Sequence, residues 1–338
     1  MGNIGVLVKQ RFQINVRIIL AIAIATVLLA ISHSSIASAQ STANTLKVSP
    51  VRTDIEIKPG ESKIVQTTVT NLTKDAVNVK ASINDFVSGD ESGTPALILE
   101  EGKYATSHSL KRFITPVSNV TIPGGQAKTI NVIVTVPANA QPGGYFGAIR
   151  FAPSSPDDGG QVNLSASVAS LILLTVPGEV TEKLNLTSFT IQQDGKANTN
   201  FGSPENLSAS FRFENKGDIQ NGPFGKISVK QGDKVIYQAD FNNKDPRDVI
   251  LPGGARVWDI PLEDIGSFGN YTVLATFTYG KKNETIEVVK SFWIIPQFVI
   301  IMAIVALVVL IGLIVGLIFF IRARTRRRRI PRGIGYRR

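Results

Sequence analysis

Very few side chains here could do chemistry. His33 and His108 are the two histidines, and no cysteine occurs in 338 residues. His33 falls in an N-terminal segment read below as a leader, which leaves His108 as a lone imidazole. Acid–base or nucleophilic catalysis needs partners that converge, so His108 is read as solvated or locally bonded. Without cysteine there is no thiolate nucleophile and no cysteine-ligated zinc. Asp157-Asp158, beside Gly159-Gly160, falls short of the ~6–8 oxygen ligands that calcium takes, and a flexible acidic loop is expected. Asp90-Glu91 and Glu100-Glu101 read as wet charge pairs. No phosphate-cradling glycine loop, metal-spaced histidine pair or elbow serine is present. The inventory predicts no enzyme and implies no cofactor or metal.

Contact residues are easier to nominate. Tyr145 and Phe146 fall on opposite faces of one predicted strand. Tyr145 shares its parity with Gly147, Ile149 and Phe151, which predicts a core position; Phe146 shares its face with Ala148 and Arg150. Phe146 and Arg150 are therefore the candidate partner contacts, with burial of Phe146 under the polar excursion Val87 to Ser109 as the alternative. Gly312 and Gly316, four apart in an apolar stretch, share one helix face through which two copies could dimerise. Arg322, Arg324 and Arg326, Arg327, Arg328 and Arg329 form a basic cluster suited to anionic lipid. Tyr336 is its only aromatic, which argues against stacking on nucleic acid. Seven Asn-x-Ser/Thr triplets, at Asn71, Asn119, Asn163, Asn185, Asn206, Asn270 and Asn283, are candidate glycan acceptors or chance products of the composition.

The elements that would position these residues are strands. Val77, Val79, Ala81 and Ile83 alternate with polar neighbours. So do Ile130, Val132, Val134 and Val136 (with Ile133 as the exception), Leu207 to Phe213, and Tyr271 to Tyr279. Such period-2 ladders are half-buried antiparallel strands. Turn clusters such as Pro123-Gly124-Gly125, Gln231-Gly232-Asp233 and Gly269-Asn270 divide them at short intervals. The layout occurs twice: a strand ends at Asn71 and Ile122-Pro123-Gly124-Gly125 opens another, then a strand ends at Asn215 and Leu251-Pro252-Gly253-Gly254 does the same. The expectation is an all-β fold of two tandem immunoglobulin-like β-sandwiches, residues 46–179 and 183–293, followed by one transmembrane α-helix.

Two apolar segments bracket the sandwiches. Lys9, Arg11 and Arg17 precede the uncharged run Ile18 to Ile31, and Ala37-Ser38-Ala39 follows, which predicts a signal peptide over residues 1–39. Residues 298–321 carry no charge; at ~1.5 Å per residue they reach about 36 Å, enough for a hydrocarbon core of ~30 Å. The basic tail 322–338 marks the cytoplasmic side, which would leave the ectodomain outside the cell membrane. Three basic residues lie in the leader and nine follow Ile321. The remaining 24 Lys and Arg face all 26 Asp and Glu, so the net charge of +10 conceals an ectodomain near −2. That distribution argues against nucleic acid as a partner.

Leu46 to Pro50, Ile57 to Glu61, Val69-Thr70-Asn71, Val120 to Gly125 and Gln141 to Ile149 together resemble the first domain of the WxL-interacting surface proteins of Gram-positive bacteria. The resemblance covers about Leu46 to Glu179. It implies a first sandwich associated with peptidoglycan and a second with host or WxL-type protein partners. The expected function is a non-enzymatic, membrane-anchored surface protein that binds the cell wall or another surface protein. The alternative is a scaffold subunit of a membrane secretion or pilus-assembly complex. A wall-modifying enzyme would need a cleft that the inventory does not supply.

Overall fold

The structure, a computed structural model, describes residues 45–154 and 166–327, with side chains to Arg322. The expected signal peptide, Asp157-Asp158, Asn163 and Arg328 with Arg329 lie outside the described residues, as do the side chains of Arg324, Arg326 and Arg327.

The described residues are all-β up to one terminal helix, apart from a single 3-10 turn at Lys111–Phe113. The first sandwich holds β1 (Leu46–Ser49), β2 (Arg52–Glu56), β3 (Ser62–Asn71), β4 (Val77–Ser88), β5 (Pro95–Leu97), β6 (Val120–Ile122), β7 (Ala127–Thr135), β8 (Gly143–Pro153) and β9 (Val168–Val176). One sheet runs β1-β3-β7; the other runs β2-β9-β8-β4-β5, with β6 also on β4. The second sandwich holds β10 (Leu184–Gln193), β11 (Lys196–Ala197), β12 (Asn200–Phe201), β13 (Leu207–Asn215), β14 (Phe224–Gln231), β15 (Lys234–Phe241), β16 (Ala255–Pro261), β17 (Gly269–Tyr279) and β18 (Glu284–Ile294). Its sheets run β11-β10-β13-β16 and β12-β18-β17-β14-β15. In both copies the opening strand changes sheets, and its second part pairs in parallel with the last strand, β2 with β9 and β12 with β18.

The duplicated asparagine explains the duplicated layout. Asn71 and Asn215 are fully buried. Asn71 Nδ2 donates to the carbonyls of Asp75 at 2.7 Å and Ile122 at 3.0 Å, and its Oδ1 accepts from Thr73 N. Asn215 repeats the pattern on Ile219 and Ile250, at 2.8 Å each, and accepts from Gly217 N. Each amide thus ties the end of one strand to the Pro-Gly-Gly opener of a later one. Asn71, with both amide donors engaged, is sequestered from modification. The tyrosines are paired as well: Tyr145 Oη donates to Gln141 O at 2.9 Å and Tyr271 Oη to Phe268 O at 3.0 Å. This is the tyrosine corner that locks the entry of the matching strand in immunoglobulin-type sandwiches.

Each sandwich has its own core. Ile55, Val69, Val79, Val132, Val134, Tyr145, Ile149 and Phe151 anchor the first. Ile133, the exception in its ladder, is the residue that points out, at 44% exposure. Phe211, Phe213, Phe241 and Phe277 dominate the second, with ring centroids 4.7 to 6.1 Å apart in edge or tilted contact. Fully burying each such ring contributes roughly 1.5–3 kcal/mol, and edge contacts add about 0.5–1.5 kcal/mol per pair. A chain without disulfides is held by these clusters. The helix α1 (Gln297–Arg327) follows β18 after two residues, and among the described residues its apolar side chains are exposed.

Candidate functional site

Asp85 organises the most elaborate part of the first sandwich. It is fully buried in β4. One carboxylate oxygen accepts from Ala105 N at 2.9 Å and Ser109 Oγ at 2.6 Å; the other accepts from Lys111 N at 2.8 Å. Asn84 Nδ2 adds a bond to Ile98 O at 2.9 Å. A carboxylate that takes three donors fixes their backbone in one course, because an unmatched buried charge is costly. The excursion is thereby pinned against the sheet. Leu110 seats directly on Gly147, where any Cβ would lie 3.1 Å from the leucine side chain. Phe113 packs on Tyr145 at 4.8 Å, and half-buried His108 meets the same ring edge-on at 4.9 Å.

The pinned loop leaves two open depressions on the first sandwich. One, of about 390 Å³, lies among Lys80, Ser82, Leu99, Tyr104, Lys111 and Arg150, with Glu100 and Glu101 at its lip. The other, of about 410 Å³, lies among Thr106, His108, Arg112, Asn139, Gln141 and Tyr145. Tyr104 lines the first of them. Its ring stands 5.0 Å from Lys111 Nζ and 4.8 Å from the Arg112 guanidinium. Arg150 Nε donates to Ser82 Oγ at 3.3 Å. Glu100 pairs with Lys103. Lys80, Lys111 and Arg150 against Glu100 and Glu101 leave this groove at about +1, on a stretch (residues 40–297) near −2. An aromatic ring flanked by cations and amides suits a saccharide that carries carboxylates: the ring takes a sugar face and the cations take the acid groups. Among the described residues no three His, Asp or Glu side chains are placed to hold a metal ion.

Of the two nominated contacts, Arg150 lines the cationic groove, and Phe146 requires a correction. Phe146 is 8% exposed, in a cluster with Phe86, Ala148 and Leu173, against Leu97 of the excursion and Val249 and Leu251 of the second sandwich. Both faces of β8 are therefore covered, one by the core and the other by the excursion and the neighbouring sandwich. The sequence carried that signal: Tyr145 to Ile149 is an unbroken apolar or glycine run, the mark of a strand buried on both sides. Gly144 is part of the same seam. Its N donates to Asp218 O at 2.9 Å, and a Cβ there would meet the Phe146 ring at 2.6 Å. The tip of the excursion completes the join. Glu91 takes a bidentate pair from Arg212, Nη2 to Oε1 at 2.7 Å and Nε to Oε2 at 3.1 Å, and its carbonyl accepts from Val257 N at 2.8 Å. The Arg212 guanidinium holds the Glu91 carboxyl below the usual carboxylate range.

Tyr104 was not nominated from sequence. A tyrosine in a polar loop carries no signal until Asp85, 19 residues earlier, is seen to place that loop. Gly312 and Gly316 sit on α1 with open space around both.

Residues 53–153 match the family model described as WxL Interacting Protein, peptidoglycan binding domain. The match spans the strands that build both depressions. No curated protein sequence matches the chain. Solved structures of similar fold include the class 5 fimbriae chaperone CfaA, at 15% identity over 74% of this chain and 99% of that one, with a TM-score of 0.36. The E. coli chaperone DraB superposes at 16% identity, over 73% and 95% of the two chains, with a TM-score of 0.29. The PapD-like domain 7 of human CEP192 does so at 12% identity, over 41% and 89%, with a TM-score of 0.28.

Proposed function

From the match of residues 53–153 to the peptidoglycan binding domain of WxL-interacting proteins, we propose that the chain is a non-enzymatic surface protein, anchored by α1 as a single membrane span, whose first sandwich binds peptidoglycan. The family match over the first sandwich carries this reading. Support comes from the groove at Tyr104, Lys111 and Arg150, which offers a ring for an amino-sugar face and cations for the carboxylates of the stem peptide. Binding then has a charged component, more salt-sensitive than the near-neutral ectodomain suggested. The tail from Arg322 onward faces the cytoplasm and its anionic lipid, and the second sandwich is left for a protein partner of WxL type.

The test is retention of the detergent-solubilised chain on purified wall sacculi. Wild-type protein is expected to be retained. The pair Lys111→Gln with Arg150→Gln should weaken retention about tenfold, equivalent to ~1.4 kcal/mol, and Tyr104→Ala by a similar factor, with unchanged melting. A wild-type chain that passes through without retention would sink the wall-binding reading; retention unaffected by these variants would move the site elsewhere on the sandwich.

A further inference from the structure

Only three aromatic side chains of the described sandwiches are more than two-fifths exposed: Tyr104, Phe268 and Trp293, at 44, 54 and 45%. Tyr104 belongs to the groove. The other two lie together where the chain enters α1. Gly269 pairs with Ile294 and Asn270 with Trp293 in the β17–β18 ladder, so Phe268 leaves one residue beyond the last rung, beside Ile295. Neither position is slack. Phe268 O accepts from Gln231 Nε2 at 3.2 Å and Tyr271 Oη at 3.0 Å. Trp293 N donates to Thr199 O and Ile295 N to Phe201 O, both at 2.8 Å. Only Ile295 and Pro296 separate β18 from α1, which opens with Gln297 and the exposed Phe298.

We propose that Phe268 and Trp293, continued by Phe298, form a foot that seats the second sandwich on the headgroup layer of the bilayer crossed by α1. The inference rests on α1 being a membrane span. Four residues from Trp293 to Gln297 reach at most ~14 Å, and the interfacial layer is about 5–8 Å deep on each side. The sandwich therefore needs only to lean for both rings to enter it. Rings with an apolar body and, for tryptophan, one N–H donor are the side chains that prefer this layer. Glu263 and Asp264, on the same loop as Phe268, lie toward Tyr237 at the far edge of the sheet; burial first, and these carboxylates second, push its hydroxyl pKa up.

The test uses the full chain in phosphatidylcholine nanodiscs with Trp258→Phe, so that Trp293 is the sole tryptophan. Lipids brominated near the top of the acyl chain should quench Trp293 strongly and deep-brominated lipids weakly, with blue-shifted emission. Phe268→Ser should reduce shallow quenching about twofold without changing the melt. A water-like, unquenched Trp293 in a chain whose α1 resists carbonate extraction would overturn the foot and leave the span standing. A blue shift that follows protein concentration and not bromine depth would overturn it in favour of contact between copies. Loss of the chain to carbonate would overturn the span, and the foot with it.

Discussion

Asp85 shows how much of the groove depends on one carboxylate. Asp85→Ala removes the acceptor for three donors, and we expect a cost of about 1–3 kcal/mol per unsatisfied buried group. The loss should be local: amides of Ala105 and Lys111 exchange faster while those of β3 and β7 keep their protection. Uniform loss of protection would show that the excursion is not an independent unit. The tyrosines give a pH prediction. Burial pushes up the hydroxyl pKa of Tyr145, Tyr271 and Tyr279. A folded pKa above the unfolded value of about 10 contributes stability that is complete below pH ~10 and is lost as pH rises through the folded value. Tm should therefore hold to about pH 10 and then fall. Tyr145→Phe with Tyr271→Phe should soften that fall, while the two lost corner bonds cost about 1 kcal/mol each at neutral pH. An identical alkaline decline in the double variant would refute this assignment. Parity alone put Tyr145 in the core. The roles of Asn71, Asn215 and Asp85 were not legible, because their partners are backbone groups that a one-dimensional pattern cannot bring near.

At the scale of elements, alternation read the half-buried ladders correctly, since each has one wet face to create the pattern. It failed on β8, where the wet face is covered by residues distant in sequence. Phe146→Ala should leave a cavity at the seam and cost about 3–5 kcal/mol. We expect limited proteolysis to separate the two sandwiches more readily in that variant; unchanged protection of the linker at residues 177–183 would argue that the seam holds without it. Phe211→Asp puts an unpaired carboxylate among the rings of the second core. Folding of that sandwich should be abolished or lowered by more than 4 kcal/mol, read by circular dichroism. The first sandwich, with its own core, should keep a separate transition, lowered in temperature because the Phe146 seam loses Val249 and Leu251.

For the whole molecule, charge division matters more than net charge. The basic excess lies at the ends of the chain, and residues 40–297 keep only a local cationic groove. A soluble form of the two sandwiches, residues 45–296, should give a β-type spectrum indifferent to reducing agent, as expected of a chain without cysteine; substantial helix would contradict the fold. Protease added to cells with permeabilised walls should digest the sandwiches and spare a small fragment that contains Arg326 to Arg329. A fully protected ectodomain would reverse the assigned orientation.

The two-residue passage from β18 into α1 also has a mechanical meaning. Tension between the wall and the bilayer would enter the second sandwich at the start of β10 and leave it at Ile294. Tyr279 and Glu284 form the first rung of the β17–β18 ladder, and Gly269 and Ile294 the last; β10 opens near Tyr279, whose hydroxyl environment includes Leu184. The pull therefore runs along β18 from end to end. Its eleven rungs to β17 are loaded together in shear, where a hairpin pulled from one end would yield them one by one. A sandwich attached in this way can act as a stiff tether under turgor, and pulling from the tail end should meet a single high-force event with no gradual peeling.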